Sequence, residues 1–380
     1  MKKMMKCFLP VLFITLIPNN LIYAEDTSEM NIQNDVCKSI NMNLDYGSIV
    51  YGGDITINGK TQYLYCEFQN TEEAINNFAK QHNSILQDIE ATYNLESLNN
   101  DNWELYRENF NQYINDISIY DSENNQILPN EEEIIRVEQF FDIFENTFEN
   151  NKIKDTVEHA TLNRSFVNEE EMALLLPTYS PLAERFIEDN LMGQNKIQEK
   201  QNLLRINNSG VNYATTWATS INTNNYDYFG RGDCANFASQ ILEASGVKQV
   251  SSLNVSSGWW HYSQGRWSGN NYLVDHYHST SWVRADTFAR YMGVGYTTKS
   301  HYNFAANIQK YDFIAFDRAN DGSWDHIGYV TADDNYIGSY GYYDYKVAQH
   351  STNYHAWASS STNNWDTLES YGALYGRVRR

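Results

Sequence analysis

Asp233-Cys234-Ala235-Asn236-Phe237-Ala238-Ser239-Gln240-Ile241-Leu242-Glu243-Ala244-Ser245-Gly246 reads as one helix with both ends written into the sequence. Asp233 suits the N-cap, and Gly246 suits the position just past the C-terminus, where the backbone turns left-handed. Phe237, Ile241 and Leu242 fall at helical spacing and predict a buried side. Cys234 then lies in the first turn. There the unpaired backbone N–H groups and the positive end of the helix dipole stabilise a thiolate and a developing oxyanion. A lone cysteine is ordinarily a small core residue. The helix-terminal position and the polar approach Gly230-Arg231-Gly232 point instead to a nucleophile.

The start of the chain adds weight. Lys2, Lys3 and Lys6 precede an apolar run from Phe8 to Ile17, closed by Ile22-Tyr23-Ala24. A basic start, a short apolar stretch and a small-residue exit predict a secretory signal peptide over 1–24. The run is shorter than the roughly 20 residues of a membrane span. The mature protein is therefore expected outside the cytoplasm, secreted or associated with the cell wall, with no stable membrane insertion. Cys37, Cys66 and Cys234 survive cleavage, and in an oxidising compartment Cys37 and Cys66 are the natural pair. A leftover thiol is an oxidation hazard there, so Cys234 needs a reason to exist.

Charge divides the chain. Residues 1–200 hold 34 acidic and 14 basic side chains, whereas residues 201–380 hold 14 and 13. Nearly all of the net charge of −21 thus sits in the first half. Such acidity argues against nucleic acid as a partner, because phosphate is neutralised by Lys and Arg. The shift predicts two domains after the signal peptide: 25–200, acidic and mostly helical with a small β-hairpin, and 201–380, α+β.

Within the first domain, Asp54–Ile57 and Lys60–Phe68 predict a hairpin about Asn58-Gly59. Helical spacing follows from Thr71 through Ile89, and Pro129, Asn130 and Glu133 announce a second helix with Val137, Phe141 and Phe144 on its apolar side. Further helices are expected near 103–115 and 180–200. His82 and His159 read as solvated surface residues. The runs Glu131–Glu133 and Glu169–Glu171 read as helix starts. No catalytic grouping stands out here.

A thiol nucleophile needs a base, normally histidine. Tyr311–Asp317 reads as an alternating strand, Asn320-Asp321-Gly322 as a turn, and Asp325–Thr331 as the returning strand. His326 at its entrance is the best candidate. A third group should accept the other imidazole N–H. His350, after the strand Tyr345–Gln349, is favoured, with Asn353 and Asp344 as rivals.

At this point the residues resemble a known family. Gly232-Asp233-Cys234-Ala235-Asn236-Phe237-Ala238-Ser239-Gln240 is similar to the Asp-Cys-Thr-Asn-Phe-Val-Ser-Gln signature of the putative amidase domain family, relatives of the NlpC/P60 and CHAP cysteine peptidases. Gly258-Trp259-Trp260, Ser281-Trp282-Val283, Phe316-Asp317, Asp321-Gly322, Asp325-His326 and Gln349-His350-Ser351 follow in the family's order. The resemblance covers about 205–357. It implies a papain-like α+β fold of the NlpC/P60/CHAP type. It also implies amide hydrolysis with Cys234 as nucleophile, His326 as base and His350 as the third polar residue. Ile206–Ser209 depart from the usual opening, Ala235 replaces the usual Thr, and Ser339–Tyr345 read as inserted residues.

Other groupings carry less. Trp259 and Trp260 are candidate substrate-binding residues, although aromatic side chains at such density are commonly packing. Asp275-His276-Tyr277-His278 has metal-like spacing but no third ligand nearby, so a surface loop is the better reading. Asp317, Asp321-Gly322 and Asp325 lack the closing Glu of a calcium loop and read as a hairpin turn. Tyr226 and Tyr228 are weak candidates for an oxyanion hydroxyl. The expected function is a secreted cysteine amidase or peptidase acting through a thioester, with no metal or organic cofactor, on peptidoglycan or a peptide amide. A degenerate binding module and an amide acyltransferase are the rivals; an inhibitory role for the acidic domain is a narrower idea.

Overall fold

In the computed structural model, residues 29–110, 113, 131–163, 165–189, 208–252, 255, 257–268 and 271–379 are described. The expected signal peptide, the Pro129-Asn130 helix start and all of 190–207 lie outside them.

The first half opens with α1 (Glu29–Asn41), then β1 (Ile49–Tyr51), β2 (Asp54–Ile57), β3 (Lys60–Tyr63) and β4 (Cys66–Phe68). Asn58 and Gly59 take φ of 49° and 81°, as a tight hairpin turn requires, and β2 pairs with β3. The expected long second strand breaks after Tyr63, because Cys66–Phe68 leaves to pair with β1. Helices α2 (Thr71–Gln81) and α3 (Asn83–Tyr93) replace one continuous helix. The break is His82, which the sequence placed at the surface. It is buried, and its Nε2 lies 2.8 Å from the Tyr46 hydroxyl. Helix α4 (103–110) precedes α5 (Glu131–Leu162), and α6 (Glu169–Ala173) and α7 (181–189) complete this half. Asn168 caps α6, and both acidic runs start helices, as the dipole favours. Cys37 and Cys66 are joined in a disulfide, with both sulfurs in the buried core around Phe78 and Phe140.

The second half runs α8 (Ser209–Trp217), α9 (Cys234–Ala244), β5 (His261–Ser268), β6 (Asn271–His278), α10 (Thr280–Val283), α11 (Ala285–Met292), β7 (Tyr296–Thr298), α12 (His301–Asn307), β8 (Phe313–Asp317), β9 (His326–Ile337), β10 (Tyr343–Gln349), β11 (Tyr354–Trp357) and β12 (Leu374–Arg379). Six strands form a curled antiparallel sheet in the order β11-β10-β9-β8-β12-β7. Strand β8 was expected to alternate, yet every residue in it is buried, because both faces of the sheet are covered. On one face, Phe313, Ala315, Ile327 and Tyr329 pack against Phe237 and Ile241 of α9 and Phe288 of α11. On the other, Ile314, Phe316, Val330 and Val347 pack with Phe304 of α12 and Trp365. Gly328 is required there: a Cβ would stand 2.9 Å from Val347 and 3.0 Å from Trp365. Residues 339–345, read as inserted, form the β9–β10 turn and the start of β10, so they lengthen a hairpin without breaking the sheet.

The two halves interlock through both apolar and polar groups. Ile135 of α5 joins the buried cluster around Phe316, and Ala319 joins the cluster around Phe140. Gln139 Nε2 donates to the carbonyls of Arg318 and Tyr371, each at 3.1 Å. Arg290 is fully buried; it pairs with Asp286 at 2.7 Å and donates to the carbonyl of Ala173 at 2.8 Å and to that of Leu176. Buried cations without such partners are costly, so these contacts fix how the halves meet.

Candidate active site

The Cys234 helix forms as its sequence predicts, with Gly246 at φ 87° just beyond it. Asp233 occupies the N-cap position but its side chain does not cap. The short 3-10 turn Gly230–Gly232 leads straight into the helix, leaving Asp233 in helical φ/ψ. Its carboxylate turns back instead. Oδ1 accepts from the Phe229 N–H at 3.0 Å and from Asn236 Nδ2 at 2.8 Å, and Oδ2 lies 2.5 Å from His350 Nδ1.

Cys234 and His326 line one cavity of about 490 Å³. Cys234 is 5% exposed and His326 7%. Burial pushes the Cys234 thiol up to about 11, against the lowering contacts of the Ile327 N–H, the Ser351 hydroxyl and the Ala235 N–H. Burial likewise pushes His326 down to about 3; the Arg318 guanidinium adds to this, and the Gln349 side chain opposes it. The resting pair is therefore a neutral thiol and a neutral imidazole. The ring of His326 stacks on Phe316, with centroids 5.2 Å apart, and its Nε2 is buried with no hydrogen-bond partner. Burial thus disfavours the thiolate–imidazolium form at rest, and the unpartnered Nε2 is the open position on the ring for a proton.

The structure separates two adjacent residues at the end of β10, Gln349 and His350. Gln349 carries the side chain that meets His326. Its Oε1 accepts from Trp365 Nε1 at 2.9 Å, and its Nε2 donates to the Thr352 carbonyl at 3.3 Å. His350, expected beside His326, lies on the other side, under the cysteine helix. It bonds Asp233, sits 2.8 Å from the Trp217 carbonyl through Nε2, and stacks on Phe237 with centroids 3.8 Å apart. Both its ring nitrogens are thus occupied away from the imidazole of His326. Of the rivals, Asp344 caps the Tyr345 and Ser359 N–H groups, while Asn353 has a buried Oδ1 without a partner. The contact of Gln349 with His326 was missed although its position was marked by the Gln349-His350-Ser351 run; nothing in one sequence says which of two adjacent residues faces His326.

Trp259 and Trp260 do not line the cavity. Trp259 is buried, donates to Ser239 Oγ at 2.9 Å and stacks on Trp282, and Trp260 stacks on Tyr262. Trp324 is the tryptophan that lines it. Tyr226 donates to Glu243 at 2.7 Å, away from the cavity. His276 and His278 lie on strand β6 of an exposed hairpin rather than in a loop. Among the described residues no group of three His, Cys, Asp or Glu is placed to hold a metal ion. Asp317 accepts from the Asp321 and Gly322 N–H groups at 3.0 and 2.8 Å, which is the expected turn.

The opposite wall of the cavity comes from the first half: Ile134, Ile135, Glu138, Asp142 and Glu145 of α5, with Arg107. Arg318 crosses to this wall, 3.2 Å from Glu138 and 3.6 Å from Asp142. No cavity spanning both halves was foreseen from the sequence.

Residues 206–375 match the family model described as a putative amidase domain, which supports an amidase-like domain over that stretch. The match extends past the motif run that ended near 357, through Trp365 and into β12. No curated protein and no solved structure matches the chain. Among the described residues no helix is long and apolar enough to cross a membrane.

Proposed function

We propose that the protein is a secreted cysteine amidase or peptidase of the papain-like, NlpC/P60-related type, with Cys234 as nucleophile and His326 as base. The observation that carries this reading is that the free Cys234 thiol and His326, with its partner-free Nε2, line the same cavity. In the first step the Cys234 proton passes to His326 and the sulfur adds to an amide carbonyl. The helix N-terminus and the Ile327 N–H supply positive charge near the sulfur and the oxyanion. His326 then returns its proton to the departing amine, leaving a thioester. Water, deprotonated by His326, releases the acid and restores the thiol. In this scheme Gln349 replaces His350 as the residue that orients the base, and His350 holds Asp233 at the head of the nucleophile's helix.

Kinship and the basic, apolar leader favour peptidoglycan as substrate, cut in the stem peptide or at the sugar–peptide amide. Mass spectrometry of muropeptides from purified sacculi tests this directly. Wild type should release new amino groups and Cys234→Ala none; activity surviving in Cys234→Ala would end the cysteine mechanism, and silence from wild type would end the substrate.

A second reading concerns residues 25–200 as a separate domain that covers the enzyme. It is favoured by one observation: α5 and Arg107 wall off the cavity in which Cys234 is nearly fully buried. Substitutions that loosen this wall should raise activity; unchanged turnover would dismiss it.

A further inference from the structure

Ser351 has three properties that no turn residue needs together. Its φ is 84°, a left-handed conformation that glycine adopts freely and that strains any side chain. Its Oγ is buried without a conventional hydrogen-bond partner, a costly state for a hydroxyl. It lines the cavity with Cys234 and His326, and its hydroxyl faces the Cys234 thiol, near enough to lower the thiol's pKa yet outside full hydrogen-bond geometry. Strain and an orphaned polar atom persist where the surroundings impose them, and such sites cluster where chemistry occurs. The imposition is visible: the preceding Gln349 is tied to Trp365 and the preceding His350 to Asp233 and Trp217. These anchors leave the chain one way to turn, and it carries the hydroxyl to the sulfur.

We infer that Ser351 is a further catalytic residue, whose Oγ–H donates a hydrogen bond to the Cys234 sulfur as the thiolate forms. This rests on the reading of Cys234 as nucleophile and adds a residue to it. A neutral thiol offers the hydroxyl a weak acceptor, which fits the loose contact at rest; an anionic sulfur offers a strong one. When the Cys234 proton passes to His326, the Ser351 hydroxyl keeps its own proton and turns it to the sulfur. As the S–C bond forms and the carbonyl electron pair moves to oxygen, the sulfur loses its charge and the hydroxyl is released. When the thioester is hydrolysed, the sulfur departs as a thiolate, accepts the same hydrogen bond, and takes back its proton from His326. No proton is lost or gained by Ser351.

The test uses the full chain and iodoacetamide, with labelling read on the peptide containing Cys234. Ser351→Ala removes the hydroxyl and keeps the strain; Ser351→Gly removes both. At about pH 8 both variants should label roughly 3–10-fold more slowly than wild type, the effect of weakening a thiolate by up to one pKa unit. Ser351→Gly should melt higher than Ser351→Ala, because only it relieves the backbone. Labelling curves for Ser351→Ala that superimpose on wild type would overturn the inference. So would a change confined to Ser351→Gly, which would assign the effect to strain, and so would a wild-type Cys234 that takes no label. Hydrolysis by Cys234→Ala separates the two levels: its survival sinks the nucleophile, whereas its loss beside an unaffected Ser351→Ala sinks Ser351 alone.

Discussion

His350 grips Asp233 from 117 residues away in sequence, Nδ1 to Oδ2 at 2.5 Å, with both side chains almost wholly buried. Asp233 is the residue immediately before the nucleophile candidate, so this bond joins the end of strand β10 to the head of helix α9. The Asp233 carboxylate also holds Phe229 and Asn236. Removing the histidine therefore loosens the entrance to the helix on which the sulfur is placed.

His350→Ala should lower stability by about 2–4 kcal/mol, because the partner carboxylate stays buried with one bond fewer. The urea midpoint measures this. A shift within a few tenths of a kcal/mol of wild type would show that Phe229 and Asn236 satisfy Asp233 on their own.

Gln349→Ala should behave differently. Its larger effect is expected on kcat, a fall of about 10²-fold from an imidazole left without its orienting group, with KM little changed. If His350→Ala instead showed the larger kcat loss per unit of stability lost, the assignment of Gln349 as orienting residue would be wrong.

The pH dependence of stability has a worked sign. His326 is lowered from 6.5 to about 3 in the fold, so the unfolded chain binds the extra proton between those values. The stability of the neutral buried ring is fully present above 6.5 and is lost as pH falls toward 3. His326→Gln, which cannot protonate, should lose less stability than wild type over that acid range. Asp321 has the opposite sign: its pKa is raised from 3.8 to about 7, chiefly by burial. Its contribution is present below 3.8 and fades as pH rises toward 7, and Asp321→Asn should flatten that limb. Parallel denaturant titrations of the three proteins across pH check both slopes.

Arg318 connects the two cavity walls and also depresses His326. Arg318→Met should cost about 2–4 kcal/mol by taking the guanidinium from Glu138 and leaving Asp142 to Arg107 alone. It should also raise the His326 pKa and speed labelling of Cys234 as the wall loosens. Slower labelling would place Arg318 on the side of reactivity and count against a covering role for the first half.

The Cys37–Cys66 bridge closes a loop with a sequence separation of 29. Replacing both cysteines by serine should cost about 3–4 kcal/mol in the loop-entropy account, read as a lower melting temperature. It should leave the labelling rate of Cys234 unchanged, since neither cysteine lines the cavity.

Local chemistry made much of this protein legible from its chain. The ends of helix α9, the Asn58-Gly59 turn, the acidic helix starts and the hairpin that presents His326 each depend on residues within a few positions of one another, where propensity, capping and turn geometry decide. The pairing of Cys37 with Cys66 followed from an odd cysteine count. Tertiary structure decided what periodicity cannot. Adjacent residues at a strand end face opposite ways, so a single step sends Gln349 toward His326 and His350 beneath the helix, and both are polar enough for either place. His82 looked like a surface residue because the Tyr46 that buries it is 36 positions away. The second wall of the cavity arises where α5 meets Arg318, just after β8, a contact between distant segments that leaves no pattern in either.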